Sequence, residues 1–444
     1  MNIKGKHITI LGAERSGIAA AKLAKAQEAI PFISDYSEKP ETASALKDAN
    51  IAFEFGKHTK KVFECDFIIT SPGIPSNADV VVKARSKGIK IISEIEFASW
   101  FCKGKIIAIT GSNGKTTTTM LCNHVLNNSE IKTYSAGNIG VAFSDIVLNV
   151  KENEYVALEV SSFQLDNIDT FKPKYAIILN ITPDHLDRYE NDFDKYALSK
   201  LMINKNQTSE DYFIYNYDDE YLAKTCKTAA NKISISLKEK QNNGLFIKDN
   251  KFCFVYNGNT EVVAPVNVLQ IKGEHNQYNA MAVIAVAKLI GIDNKLIEES
   301  LFTFPGVEHR LEFIREINGI RFINDSKATN VDSVWYALRS YNKPIHLILG
   351  GKDKGNDYDK IKRPVQNNVQ KIYAVGSSAE KIIAYFSSVT KVEKYNTLED
   401  AVTEAYNNAM AGEIVLLSPA CASFDMFDNY EHRGKVFKQI VERL

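Results

Sequence analysis

Lys105-Ile106-Ile107-Ala108-Ile109-Thr110-Gly111-Ser112-Asn113-Gly114-Lys115-Thr116-Thr117 is the stretch on which the fold turns. Its first six residues are a short, nearly unbroken apolar run, as expected of a strand buried on both faces. A glycine turn follows, and Thr118 to about Asn127 reads as a helix. In such a strand–turn–helix, the backbone N–H groups of Gly111, Ser112, Asn113 and Gly114 close on phosphate oxygens at a helix N-terminus. Lys115 reaches the outer phosphates, and Thr116, with Thr117 behind it, offers a hydroxyl to Mg²⁺. The longer form of the motif has glycine where Ile109 stands, so the match is to the shorter G-x-x-G-K-T form.

The same texture extends in both directions. Upstream, His7–Leu11, Ile30–Ile33, Phe67–Thr70 and Ile91–Ile92 are short apolar runs separated by helical stretches. Downstream come Tyr155–Leu158 and Tyr175–Leu179, then Ile320–Ile323, His346–Leu349, Lys371–Val375 and Glu413–Leu417. Strands alternating with helices predict parallel, doubly wound α/β sheets. Between about Ile233 and Val266 the runs are broken by Asn-Gly turns, which predicts a small antiparallel appendage. A helix is expected from about Asn276 to Ile290. The segments divide as 1–97, 98–302 and 303–444, and 444 residues suit three domains of about 150 each.

Composition removes several classes. Lys+Arg and Asp+Glu are both 54, so the basic excess expected of a counterion-releasing nucleic-acid binder is missing. The six cysteines form no C-x-x-C pair, against zinc ribbons and thioredoxin chemistry. The apolar stretch Ala280–Ile292 is interrupted by Lys288 and is too short to span a bilayer. With no secretory leader at Met1, the expectation is a cytoplasmic protein with reduced thiols.

Polar groups cluster where strands end, the usual place for ligands in open α/β sheets. Glu159 closes one strand and precedes Val160-Ser161-Ser162-Phe163-Gln164; an acid there suits Mg²⁺ near phosphate, or is simply an exposed strand end. Asn180-Ile181-Thr182-Pro183-Asp184-His185-Leu186-Asp187-Arg188 follows another strand. Lys200, by itself, reads as a solvated helix lysine. The turn Gly12-Ala13-Glu14-Arg15-Ser16-Gly17 has Glu14 where a dinucleotide fingerprint needs its middle glycine, which disfavours a nicotinamide cofactor. Gly306–Glu312 and Asn324-Asp325-Ser326-Lys327-Ala328-Thr329-Asn330 combine His, Arg, Asp and Lys in a pattern suited to phosphate and carboxylate. Cys421, with no partner assignable, reads as a buried structural thiol.

Taken together, the phosphate loop, Glu159–Gln164, Asp184–Tyr189, Asn324–Asn330 and Ser418–Ser423 resemble the Mur ligases of bacterial cell-wall synthesis over essentially the whole chain. The last two motifs resemble the D-glutamate-adding branch. The resemblance implies an N-terminal Rossmann-like UDP-binding domain, a central P-loop ATPase domain with a mostly parallel sheet plus a small antiparallel one, and a C-terminal Rossmann-like domain. It also implies ATP and Mg²⁺, the substrates UDP-N-acetylmuramoyl-L-alanine and D-glutamate, an acyl-phosphate intermediate and a monomer. Arg15, Ser16 and Asp35 match positions at the uracil end, Gly73 a diphosphate contact, and Asn138, Ser161 and Gln164 contacts to the nucleotide sugar. Glu159 and His185 match magnesium ligands, and Lys200 a carbamylated lysine. Asn276, Asn279, His309, Arg310 and Asp325 match ATP contacts. Lys327, Thr329, Lys354 and Ser423 match positions around D-glutamate, with Phe424 and Tyr430 as neighbours; phenylalanine can stand in the place of Tyr430. A folylpolyglutamate-type ligase is the alternative within the fold, and a nucleotide-dependent binding ATPase the alternative outside it.

Overall fold

The computed structural model describes all 444 residues. The chain forms two compact units, Met1–Val268 with Tyr278–Phe302, and Leu269–Gln277 with Thr303–Leu444. Two sheets lie in the first unit and one in the second, giving a three-domain α/β architecture. No helix is long and apolar enough to cross a membrane.

The first sheet has five parallel strands. His7–Leu11 is central, flanked by Ile30–Asp35 and Phe67–Thr70, with Ala52–Phe55 and Lys90–Ser93 at the edges. Leu11 is in register with Ser34 and Thr70, so Gly12–Gly17, Asp35 and Ser71–Pro75 emerge at one end. Gly12 has φ +96°, and a Cβ there would lie 2.8 Å from Ser71 Oγ. Only glycine lets the first turn pack this tightly on the loop that follows Phe67–Thr70.

The second sheet has nine strands. Lys105–Thr110 runs between Tyr155–Glu159 and Tyr175–Ile178, and Thr133–Gly137 forms one edge. Toward the other edge, Tyr212–Asn216, Asn231–Ser236 and Gly244–Lys248 continue in parallel. Lys251–Tyr256 and Asn259–Pro265 then pair antiparallel. The antiparallel strands expected from the Asn-Gly turns therefore prolong the parallel sheet, and Ile233 belongs to its parallel part. The hairpins close through Asp249-Asn250 and Asn257-Gly258, all at positive φ, the geometry that two-residue hairpin turns favour. The helix after the phosphate loop begins at Lys115, three residues before the sequence reading put it.

Within the first unit the two sheets are tied by the short helix Glu94–Ser99. Glu96 is wholly buried. Its carboxylate accepts hydrogen bonds from the N–H groups of Asp169 (2.9 Å), Thr170 (2.9 Å) and Phe171 (2.7 Å). Thr170 Oγ1 (2.6 Å) and Trp100 Nε1 (2.8 Å) donate to it as well. These charge-assisted bonds compensate the desolvation of the carboxylate and hold it ionised, below the usual glutamate range despite its burial.

The second unit holds a six-stranded sheet, ordered Glu312–Ile317, Ile320–Asn324, Ile414–Leu417, Ile345–Gly350, Val369–Val375, Lys391–Lys394. Only the first pair is antiparallel. Apolar clusters cover both faces, one around Leu347 and Leu416, the other around Ile348 and Val415. Asn324 is in register with Leu417, so the two C-terminal motifs leave adjacent strands side by side.

Candidate active site

The phosphate loop lies at a topological switch point: its strand is flanked by Tyr155–Glu159 on one side and Tyr175–Ile178 on the other. Gly114 caps the helix Lys115–Asn128 at φ +87°, where a Cβ would stand 2.5 Å from Asn279 Oδ1. The loop is held by its neighbours. Asn180 Oδ1 accepts from Asn113 N–H at 2.9 Å, and Asn180 Nδ2 donates to Asn113 O at 3.1 Å. Ser112 Oγ lies 2.8 Å from Thr182 O and 2.9 Å from Tyr196 Oη. Lys115 Nζ donates to the carbonyls of Gly111 (2.7 Å) and Ser112 (2.9 Å).

Lys200 reaches the same place from the helix Phe193–Leu201, and the solvated lysine read from local sequence is in fact 98% buried. Its Nζ donates to Gly111 O at 3.0 Å and stands 4.7 Å above the Tyr196 ring. Burial, then the charge of Lys115, holds its amine well below the usual lysine range. Glu159 ends the neighbouring strand and is buried. Asn138 Nδ2 donates to its Oε1 at 3.0 Å, while its Oε2 is buried without a hydrogen-bond partner. A carboxylate oxygen left so is an energetic cost that a cation removes. No three His, Cys, Asp or Glu side chains gather as a protein-only metal cage. The fit is to a hard cation that takes its other ligands from phosphate and water, as Mg²⁺ does.

Ser161 and Gln164 form a reciprocal capping box that starts the turn Ser162–Leu165. Phe163 in that turn meets the His185 ring edge-on at 5.4 Å. His185 is left-handed, at φ +51°, and its Nε2 is 3.7 Å from Asp184 Oδ2. Thr116 is half-buried in the first turn of its helix and Thr117 is buried. At the N-terminal sheet, Asp35 accepts from Ala13 N–H (2.7 Å) and Ser37 N–H (2.8 Å), so it shapes the first turn. Arg15, Asn138 and Gly73 are exposed and Ser16 is half-buried. Asn279 belongs with the first unit, Asn276 with the second.

In the second unit, Lys327 Nζ lies 3.6 Å over the Tyr430 ring, and Lys327 N–H donates to His309 O at 3.0 Å. His309, left-handed at φ +64° and buried, has its Nδ1 2.9 Å from Asn324 Nδ2. Asp325 accepts from Ser418 Oγ (2.8 Å) and Leu311 N–H (3.2 Å), and burial raises its carboxyl to about 7. Arg310 and Thr329 are half-buried, Ser423 is buried, and Lys354 and Phe424 are exposed. Cys421 is buried, and burial raises its thiol, consistent with a structural role.

Sequence reasoning missed Tyr196 and Arg433, and gave Asn180 no role of its own within the segment Asn180–Arg188. Arg433 is buried in the last helix; its Nε donates to Ser326 Oγ (3.0 Å), its Nη2 to Ser326 O (2.8 Å) and to Cys421 O (3.2 Å). It thereby pins the two C-terminal motifs to one another. Nothing local in Tyr430-Glu431-His432-Arg433 signals this, because Ser326 is 107 residues away.

Three family matches span the chain: Mur ligase MurD-like, N-terminal domain over residues 6–93; Mur ligase middle domain over 109–287; and Mur ligase, glutamate ligase domain over 309–421. Among similar proteins, the UDP-N-acetylmuramoylalanine–D-glutamate ligase of Chloroherpeton thalassium is 44% identical, covering 100% of this chain and 99% of its own. The ligase of the same name from Christiangramia forsetii is 45% identical, covering 99% of this chain and 100% of its own. Among solved structures, the UDP-N-acetylmuramate-alanine ligase MurC of Thermotoga maritima superposes with a TM-score of 0.61 at 20% identity over 99% of each chain. MurF of Acinetobacter baumannii gives a TM-score of 0.64 at 18% identity over 93% of this chain and 90% of its own. At these identities the structures speak to the fold alone.

Proposed function

We propose that this chain, which belongs to the Mur ligase family, is an ATP-dependent ligase that adds D-glutamate to UDP-N-acetylmuramoyl-L-alanine in peptidoglycan precursor synthesis. The reading is supported by relatives of that name over the full length. The observation that carries it is the meeting of Lys115 and Lys200 on the Gly111 carbonyl, close to a buried, unpartnered Glu159 oxygen.

The chemistry follows from charge. A carboxylate is a poor electrophile, and transfer of the γ-phosphoryl group to the substrate's carboxylate oxygen, with ADP leaving, converts that oxygen into a leaving group. The D-glutamate amine then attacks the carbonyl, loses a proton, and phosphate departs from the tetrahedral adduct to leave the amide. Two anions have to meet in the first step, so Lys115 and the N-terminus of its helix serve as fixed positive charge at the phosphates. Magnesium, when bound, supplies further screening of those oxygens. Glu159 Oε2, His185 and Lys200 as its carbamate are the groups that would hold one such ion, and the Thr116 hydroxyl another at ATP. An uncharged Lys200 amine is the form that combines with CO₂, and burial beside Lys115 favours that form.

In this reading residues 1–97 take the uridine end through Arg15, Ser16 and Asp35, with Gly73 at the diphosphate. Residues 98–302 take ATP on Gly111–Thr117 and Asn279, and the nucleotide sugar on Asn138, Ser161 and Gln164. Residues 303–444 bring His309, Arg310 and Asp325 to ATP, with Asn276 from the preceding helix. D-Glutamate falls to Lys327, Thr329, Lys354 and Ser423, beside Phe424 and Tyr430. We place the enzyme in the cytoplasm, consistent with six free thiols, and take a monomer from the family resemblance. Phosphate release should require ATP, the nucleotide sugar and D-glutamate together; release from ATP alone at the same rate would refute the reading.

A further inference from the structure

Two motifs of the central domain interlock on one ring. The turn Leu186–Tyr189 is bounded by His185 and Glu190, both left-handed, which fixes how it presents its side chains. Tyr189 stacks on Phe163 at 5.9 Å, and its hydroxyl donates to Asp166 Oδ2 at 2.9 Å. His185 meets the edge of Phe163, and the Arg188 guanidinium lies over its face at 4.2 Å. From there Arg188 Nη2 extends to the N-terminal sheet, donating to Pro72 O at 3.4 Å and Ile74 O at 3.1 Å, the carbonyls on either side of Gly73. Ser71 Oγ, in the same loop, is buried with no partner.

We propose that Arg188 is a positioning residue for the nucleotide-sugar substrate: it fixes the Ser71–Pro75 loop against Phe163 and so sets the direction of the Gly73 N–H. The inference rests on the reading of Gly73 as a diphosphate contact. In a trans peptide the C=O and the following N–H point in opposite directions, and the chain contains no cis bond. Holding the Pro72 carbonyl therefore turns the Gly73 N–H away from Arg188. A planar guanidinium suits the task, since it can lie flat on Phe163 and still donate to two carbonyls, which an ammonium does less well. Because the same turn carries His185, the arrangement also ties the diphosphate loop to a candidate magnesium ligand.

The test is Arg188→Ala, with Arg188→Lys as the conservative partner if the alanine variant does not fold. The KM for the nucleotide sugar should rise about tenfold, the KM values for ATP and D-glutamate should stay within about twofold, and millimolar guanidinium should restore part of the loss. All three KM values rising together, or a nucleotide-sugar KM unchanged, would overturn the assignment. Hydrogen exchange of the Ile74 amide, which donates to Ser71 O at 3.1 Å, gives a readout in the ligand-free protein that is independent of turnover. Faster exchange in the variant is expected, and exchange equal to the parent's would also overturn it. If the parent itself shows no dependence on the nucleotide sugar, the functional reading fails, while the exchange result still decides the role of Arg188 in the loop.

Discussion

An amine buried as Lys200 is, with Lys115 close by, is driven toward its neutral form, because a buried cation beside a like charge costs more than it returns. That is the state from which a carbamate forms. With ¹³C-labelled bicarbonate, the parent should show a carbamate carbonyl signal that weakens as pH falls and the amine takes up a proton. Lys200→Arg should show none, and a signal equal in both would remove Lys200 from the site. Asp325 has the opposite sense. Burial raises its carboxyl from 3.8 to about 7, so the folded state holds that proton more tightly than the unfolded chain. Its contribution to stability is complete below pH 3.8 and is lost as pH rises through about 7. Asp325→Asn removes the titration while keeping the shape, so its melting temperature should fall less than the parent's across that window. Parallel curves would contradict this.

At the scale of elements, the phosphate loop was legible because strand, glycine turn and helix follow one another within a few residues. The strands Ala52–Phe55 and Thr133–Gly137 were not, being short edge strands without a continuous apolar run. The range from about Ile233 reads as antiparallel because Asn-Gly turns break it, whereas Asn231–Ser236 pairs in parallel with Tyr212–Asn216, and only the partner strand decides the matter. Glu159, at a strand end, and His185, in the loop after one, stand out as candidates by position in the sequence, whereas Arg433 does not. Its work is to join two loops that are remote in sequence, and only the fold brings them together. Arg433→Met should cost about 3 kcal/mol, the scale of losing charge-assisted bonds to buried acceptors. It should also raise the KM for D-glutamate more than that for ATP. Urea melts and initial rates that match the parent's would show that the loops hold without it.

At the scale of the whole molecule, Glu96 is one of the ties that join the first two sheets: three consecutive N–H groups, a hydroxyl and an indole converge on one carboxylate. Glu96→Ala should lower stability by about 3 kcal/mol or more, since each of those donors would be left buried or rehydrated at a cost. In a Trp335→Phe background the emission of Trp100 should shift as well. Unchanged urea midpoint and emission would place the coupling elsewhere. The three α/β sheets are legible in the sequence as recurring strand–turn openings. The tie between the first two sheets is not, because Glu96 reads as one more charged residue on a short helix.

The central claim is that this molecule spends ATP to join one particular amino acid to a nucleotide-sugar acid. The measurement that bears on it most directly is a panel of D-glutamate, L-glutamate, L-alanine and diaminopimelate, each offered with ATP and UDP-N-acetylmuramoyl-L-alanine, with the amide product identified by mass. The account predicts the amide with D-glutamate, formed one for one with ADP and phosphate, and little with the other three. An amide formed preferentially with another member of the panel, or ADP formed with no amide at all, would contradict it.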